Sequence, residues 1–196
     1  SDARVAGVCK GAGMIQPNMA TMLGFVATDA AMTPAALATH IAGVARRSFN
    51  AVHVDTHPST NDTLLWLATG RAQGADVAAV TRAVGDVAER LAWLIARDGE
   101  GSTKVTRITV SGARDDASAR AVADLVASSA LVRTALFGND PNWGRFVSQV
   151  GNSPAVHTSV YAWTKSVQTR AWRSLQRSLG AVGVARWRKI SSAVAA

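Results

Sequence analysis

The chain reads as an α/β protein on three observations. Segments 34–47, 76–97 and 115–126 place apolar residues at three- and four-residue steps, the period of a helix with one buried face. Between them lie short runs rich in Val, Thr and Leu, at 22–27, 51–55 and 105–110, which suit strands. Helices alternating with strands predict stacked layers of sheet and helix. With 48% hydrophobic residues among 196, the chain has material for a core, and its length suits one domain, occasionally two.

Residues 5–25 read as a strand-like entry, a Gly-rich loop and an apolar exit, with Met22 to Ala27 as a buried strand. Thr28-Asp29 then leads towards a helix start. Thr33 is an N-cap candidate and Pro34 suits the first helical position, so 34–47 is an amphipathic helix carried by Leu37, Ile41 and Val44. Ala51 to Asp55 reads as a short strand, and Pro58 with the polar run to Asp62 as a turn. Thr63 to Thr69 is apolar, and periodicity does not decide between strand and helix. Residues 76–97 give the clearest helix, through Val77, Val80, Val84, Val87, Leu91 and Leu94. Asp98-Gly99-Glu100-Gly101 ends it, with glycine near the C-cap. Val105 to Val110 is strand-like. Asp115 or Asp116 caps a further helix through Val122, Leu125 and Val126, Thr134 to Phe137 is a short apolar segment, and Gly138 to Asn142 has turn chemistry.

The net charge of +8 is unevenly spread. Lys165, Arg170, Arg173, Arg177, Arg186, Arg188 and Lys189 lie after Gly151 with no acid among them, which leaves 14 basic against 13 acidic groups in the first 150 residues. The body is nearly neutral, and the overall charge is a weak argument for a nucleic-acid partner. No apolar run is long enough for a membrane helix. The single Cys9 cannot make an internal disulfide, which fits a reducing, cytoplasmic setting, and it reads as a small hydrophobe. No signal peptide precedes the first motif, and the start at Ser-Asp-Ala-Arg, without Met, suggests a fragment or a processed product. His53 and His57 are a weak metal signature with no Cys-x-x-Cys to support it, so no metal is expected. The Gly11-x-Gly13 pair lacks the third glycine of a dinucleotide loop, and no Gly-x-Ser-x-Gly elbow supports a serine hydrolase.

The most informative stretch is Lys10 to Phe25, in which Thr21 follows Ala20 behind a lysine- and glycine-containing loop. A threonine hydroxyl is a poor nucleophile by itself. It becomes a good one if the Ala20–Thr21 bond is cut, because the freed α-amine, with a reference pKa of about 7.7–8.0, serves as its base. Four further motifs follow: Ser59-Thr60-Asn61-Asp62-Thr63, Asp98-Gly99-Glu100-Gly101 with Thr103-Lys104, Leu131-Val132-Arg133-Thr134-Ala135, and Asp140-Pro141-Asn142-Trp143-Gly144-Arg145.

Together these motifs resemble the bifunctional glutamate N-acetyltransferase / ornithine acetyltransferase family of arginine biosynthesis, from about Val5 to Gly151. The resemblance implies the mixed sheet-and-helix layers of the ornithine acetyltransferase / self-cleaving aminopeptidase-like fold. It implies self-cleavage between Ala20 and Thr21, with 1–20 ending one product and 21–151 belonging to the other. Thr21 is then the catalytic nucleophile that takes acetyl from N-acetylornithine and passes it to glutamate, and acetyl-CoA is a second donor in some members. No cofactor is implied. Lys10, Thr21 and Glu100 are the implied substrate contacts: the Lys10 ammonium can pair with a carboxylate, and Glu100 with an α-ammonium. The two cleavage products are expected to form a hetero-oligomer of α- and β-chains.

The match has departures. Thr56-His57-Pro58 stands where the family pattern has Gly-Asp-Thr. The family's oxyanion donors, a threonine–glycine pair, lie upstream of this chain's first residue, and nothing in 152–196 matches the family's final Asn and Thr contacts. The chain alone is therefore expected to be inactive, and 152–196 reads as an atypical basic tail, non-native or disordered, as a shifted reading frame would produce. Two other readings stay open. A related self-cleaving aminopeptidase would pass its acyl group to water. A non-catalytic module would use the Arg and Trp residues of the tail to bind nucleic acid or an anionic membrane.

Overall fold

The computed structural model describes residues 3–16 and 22–154. They fall into two compact units that meet in sequence at Val105 and Thr106. This division is separate from the expected cleavage point and from the expected start of the tail, both of which lie in or beside residues outside those described.

The first unit is a three-stranded sheet with two helices on one face. Strand β1 (Val5–Lys10) pairs antiparallel with β2 (Leu23–Ala30), and β2 pairs parallel with β3 (Thr63–Ala72). The segment undecided by periodicity is thus a strand, fixed by its ladder to β2. Helix α1 (Pro34–Arg47) starts as expected, with Pro34 at its first turn and the Thr33 hydroxyl accepting from the Ala36 N–H at 3.2 Å. Helix α2 (Val77–Arg97) is capped by the Asp76 carboxylate, which accepts from Ala78 at 2.9 Å. Its buried stripe is Val80, Val84, Ala88, Ala92 and Ile95, while Leu94 is 37% exposed. Beside that stripe α2 lies close against β1: a Cβ on Gly7 would sit 2.9 Å from both Leu91 and Val87. Fully burying each Val or Ile of that stripe contributes about 1.5–3 kcal/mol.

Strand β2 corrects the expectation of a strand buried throughout. Val26, Thr28 and Ala30 are buried beneath the helices, whereas Phe25, with its ladder neighbours Val8 and Leu65, is exposed on the other face. The alternation is the period of two of a strand with one covered face. Thr28 and Asp29 lie inside β2 and do not lead into α1. Nor is there a strand at 51–55. Phe49–Ala51 is a single 3-10 turn, and the chain then bends through Asp55 and Thr56.

The second unit packs three helices: α3 (Asp116–Ser128), α4 (Ala130–Phe137) and α5 (Trp143–Gly151). Asp115 caps α3 by accepting from Ser118 at 2.7 Å. Residues 105–110 contain only an isolated bridge at Thr109, not a strand. Thr134 to Phe137 is the end of α4. The turn expected at Gly138 to Asn142 is present, with Asn139 at φ +56°, and α5 follows it in a segment to which the sequence reading assigned no element.

Candidate active site

The first unit brings three distant motifs together. Lys10 ends β1 opposite Leu23, the second residue after Thr21. The loop that follows Lys10 is met by the loop after α2: the Glu100 N–H donates to the Ala12 carbonyl at 2.7 Å. The Glu100 carboxylate then lies over Gly13 so closely that a Cβ there would be 2.8 Å from Oε2. Gly13 thus leaves room for the carboxylate in this position, which a Cβ would displace. Lys10 and Glu100 are both exposed, so both charges are available to a ligand. The remaining assigned residues, Ala20 and Thr21, lie outside the described residues.

The connection from Val52 to Thr63 supplies two carboxylates that the sequence reading left without roles. Asp55 Oδ2 accepts from the Met14 N–H at 2.6 Å, and Oδ1 accepts from Ile15 at 3.2 Å and from His57 at 3.0 Å. Burial pushes the Asp55 carboxyl up, but the N–H groups of His57, Met14 and Ile15 outweigh it and hold the group below its ordinary value. Asp62 Oδ1 accepts from the Met22 N–H at 3.1 Å. Burial raises the Asp62 carboxyl, against the lowering effect of that one donor. Ile15 and Met22 belong to one buried cluster and line the same cavity of about 110 Å³, together with Phe49, Asp62 and Ile95.

The loop also carries strain. Met14 sits at φ +49° and Thr56 at φ +67°, the left-handed region that β-branched residues avoid. The polar run had indicated a turn here, but nothing in it showed which acids would accept backbone N–H groups. An Asx-type turn at Asp55, with Pro58 following, was the only available cue.

Other singled-out residues have structural partners. The Cys9 thiol donates to the Leu91 carbonyl at 3.7 Å, and burial pushes its pKa up, so it stays protonated. His53 and His57 share no strand. Among the described residues no group of three or more His, Cys, Asp or Glu could hold a metal. In the second unit, Arg145 donates to the Leu131 carbonyl at 2.8 Å and to the Thr134 hydroxyl at 2.9 Å, tying the last two motifs to each other. Arg133 donates to the Ala127 carbonyl at 2.7 Å.

Comparison with known proteins gives a consistent result. The family model described as ArgJ family matches residues 1–175, which extends beyond Gly151, where the motif resemblance stops. The chain is 52% identical over 156 residues to the arginine biosynthesis bifunctional protein ArgJ of Nitratidesulfovibrio vulgaris, covering 78% of this chain and 40% of that protein. It is 48% identical over 160 residues to the protein of the same name from Caulobacter vibrioides, with 78% and 40% covered. The crystal structure of arginine biosynthesis bifunctional protein ArgJ from Bacillus halodurans superposes with a TM-score of 0.64 at 37% identity, over 68% of this chain and 66% of that one. The chain thus spans about 40% of the length of these curated relatives.

Proposed function

Because the chain belongs to the ArgJ family, we propose that it carries the self-cleaving centre of an N-terminal-threonine acetyltransferase of arginine biosynthesis. The Thr21 hydroxyl attacks the Ala20 carbonyl, the peptide bond becomes an ester, and water hydrolyses that ester. Ala20 is left with a carboxylate and Thr21 with a free amine. The amine then takes the hydroxyl proton as Thr21 attacks the acetyl carbonyl of N-acetylornithine. Ornithine leaves with its α-nitrogen reprotonated, and the acetyl ester on Thr21 is attacked by the α-amine of glutamate. Lys10 pairs with the α-carboxylate of either amino acid, and Glu100 holds the charged amine of the bound substrate. Acetyl-CoA enters as an alternative donor at the same ester. Residues up to Ala20 and from Thr21 become two chains of one cytoplasmic hetero-oligomer, and 152–196 lies outside the acetyl-transfer chemistry.

The observation that carries this reading is the convergence of Lys10, the Glu100 carboxylate and the residues following Thr21 at one end of the β1–β2 pair. Residues far apart in sequence, of the charges the two substrates need, meet beside the nucleophile's strand.

Mass spectrometry of the full-length polypeptide that carries this chain is the test. Two products meeting at Ala20/Thr21, a trapped acetyl group on Thr21 and ping-pong kinetics with N-acetylornithine and glutamate are expected. An intact chain with full activity, or release of acyl groups from peptide amides to water in place of transfer, refutes it.

A further inference from the structure

Ile15 and Met22 flank the stretch that contains Ala20 and Thr21, and their backbones are held in the same manner by the same connection. The Ile15 N–H donates to Asp55 at 3.2 Å, and its carbonyl accepts from the Val54 N–H at 2.9 Å. The Met22 N–H donates to Asp62 at 3.1 Å, and its carbonyl accepts from the Thr63 N–H at 3.0 Å. At each end a carboxylate takes the N–H, and a backbone N–H next to it, before or after in the chain, takes the carbonyl. Both ends also line one cavity, so the two holds are close in space.

We infer that the Val52–Thr63 connection is a two-ended clamp for self-cleavage, with Asp55 and Asp62 as its positioning residues. The inference rests on Ala20–Thr21 being the scissile bond. The Met22 nitrogen is bonded to the Thr21 carbonyl carbon, so fixing that nitrogen places the nucleophile's own residue. The Asp62 carboxylate extends the β2–β3 ladder by one rung with a side chain, up to the edge of the reacting residue. On the acyl side Asp55 holds the chain further back, at Ile15 and, through its second oxygen, at Met14. After the cut, neither hold is lost, because none of the four hydrogen bonds crosses the broken bond. The clamp therefore also keeps the chain segments on both sides of the cut, through Ile15 and Met22, on one connection. Asp62 serves both reactions, since it holds the residue next to the nucleophile. Asp55 serves mainly the first, since it holds the part that becomes the leaving chain.

The test uses the full-length polypeptide as wild type, Asp62→Ala, Asp62→Asn, Asp55→Ala and Asp55→Asn, with the cut fraction followed by intact-mass spectrometry. Each Ala variant should process about tenfold or more slowly, as a misplaced nucleophile or carbonyl implies. Asp62→Asn should recover most of that rate, because its amide oxygen still accepts the Met22 N–H, whereas Asp55→Asn should stay slow, because both Asp55 oxygens accept N–H groups and an amide offers only one acceptor. In the processed enzymes, Asp62→Ala should lower kcat with little change in KM, and Asp55→Ala should lower kcat much less than it lowers processing. Hydrogen exchange on wild type gives a measurement that needs no variant to fold: the Ile15 and Met22 amides should be protected before and after cleavage. Rapid exchange at either amide, folded Ala variants that process at the wild-type rate, or a folded Asp62→Asn as slow as Asp62→Ala would overturn the clamp. A wild type that is never cut removes the cleavage reading and the clamp with it, whereas a cut wild type beside equally cut Ala variants removes the clamp alone.

Discussion

Replacing Thr56 by glycine should stabilise the first unit. Thr56 adopts φ +67°. For an L-residue the left-handed region costs roughly 1–2 kcal/mol, because Cβ crowds the following carbonyl oxygen. Branching at Cβ adds to that crowding. Glycine removes the clash but gives the unfolded chain more freedom, at about 0.5–1 kcal/mol. The difference leaves a gain of about 0.5–1 kcal/mol, which is a rise in Tm of about 2–8 °C for a unit of this size. Thr56 is only half-buried and its side chain makes none of the Asp55 hydrogen bonds, so little packing is lost. Thr56→Ala keeps the Cβ and should gain much less. Thr56→Asn should fall between, since asparagine tolerates this backbone region. Urea unfolding of the three variants beside wild type reads the order directly. If Thr56→Gly is no more stable than Thr56→Ala, the strain is not there and the reasoning fails.

Gly13→Ala should leave stability within about 0.5 kcal/mol, because the group its Cβ would meet at 2.8 Å is the end of the exposed Glu100 side chain, which can swing aside. The same displacement should raise KM for the amino-acid substrates by about tenfold, roughly the loss of one charge-assisted hydrogen bond, in steady-state kinetics of the complete enzyme. Gly7→Ala is the contrasting case: its Cβ would meet Leu91 and Val87 at 2.9 Å and the Phe25 carbonyl at 3.2 Å, inside the β1–α2 contact. It should destabilise by about 1–3 kcal/mol in urea unfolding, and an unchanged midpoint would show that α2 does not pack on β1 in this way. For the second unit, the Ser118 hydroxyl and N–H, with the Arg114 guanidinium, hold the Asp115 carboxyl down from 3.8 to about 2. A depressed carboxylate stabilises the fold above its unfolded pKa, so the contribution is complete above 3.8 and is lost as pH falls towards 2. Circular dichroism melts across that window should show the loss, and Asp115→Asn should flatten it.

Local signals were legible wherever the chemistry is local. The Thr33 cap with Pro34, the Asp115 cap and the period of α2 depend on residues within one or two turns of each other, and those helices begin within a residue of where the sequence places them, α2 with Asp76 as its cap instead of its first residue. The family was legible too, because its motifs are contiguous runs in fixed order. Strands were harder. Val105 to Val110 has the composition of a strand but makes only the isolated bridge at Thr109, and composition does not say whether a ladder will form. Ala51 to Asp55 fails for a different reason: the backbone bends so that the Asp55 carboxylate can reach Met14 and Ile15. Leu94 shows the same limit on a helix face: it has the period of the buried side yet is 37% exposed, while Ala88 and Ala92 are buried.

The linear order of residues was therefore enough to establish the α/β class and the family, and to propose the chemical types at the site: a hydroxyl to attack, an ammonium and a carboxylate to bind. It could not say which acids among many would accept backbone N–H groups, that Gly13 makes room for Glu100, or that Asp55 and Asp62 hold opposite flanks of one stretch. Those facts depend on distances between residues about 40 or 90 positions apart, as between Ile15 and Asp55 or Gly13 and Glu100. Hydrogen bonds and close contacts act over a few ångströms, so their partners are known only once the sheet has folded and set which loops lie side by side.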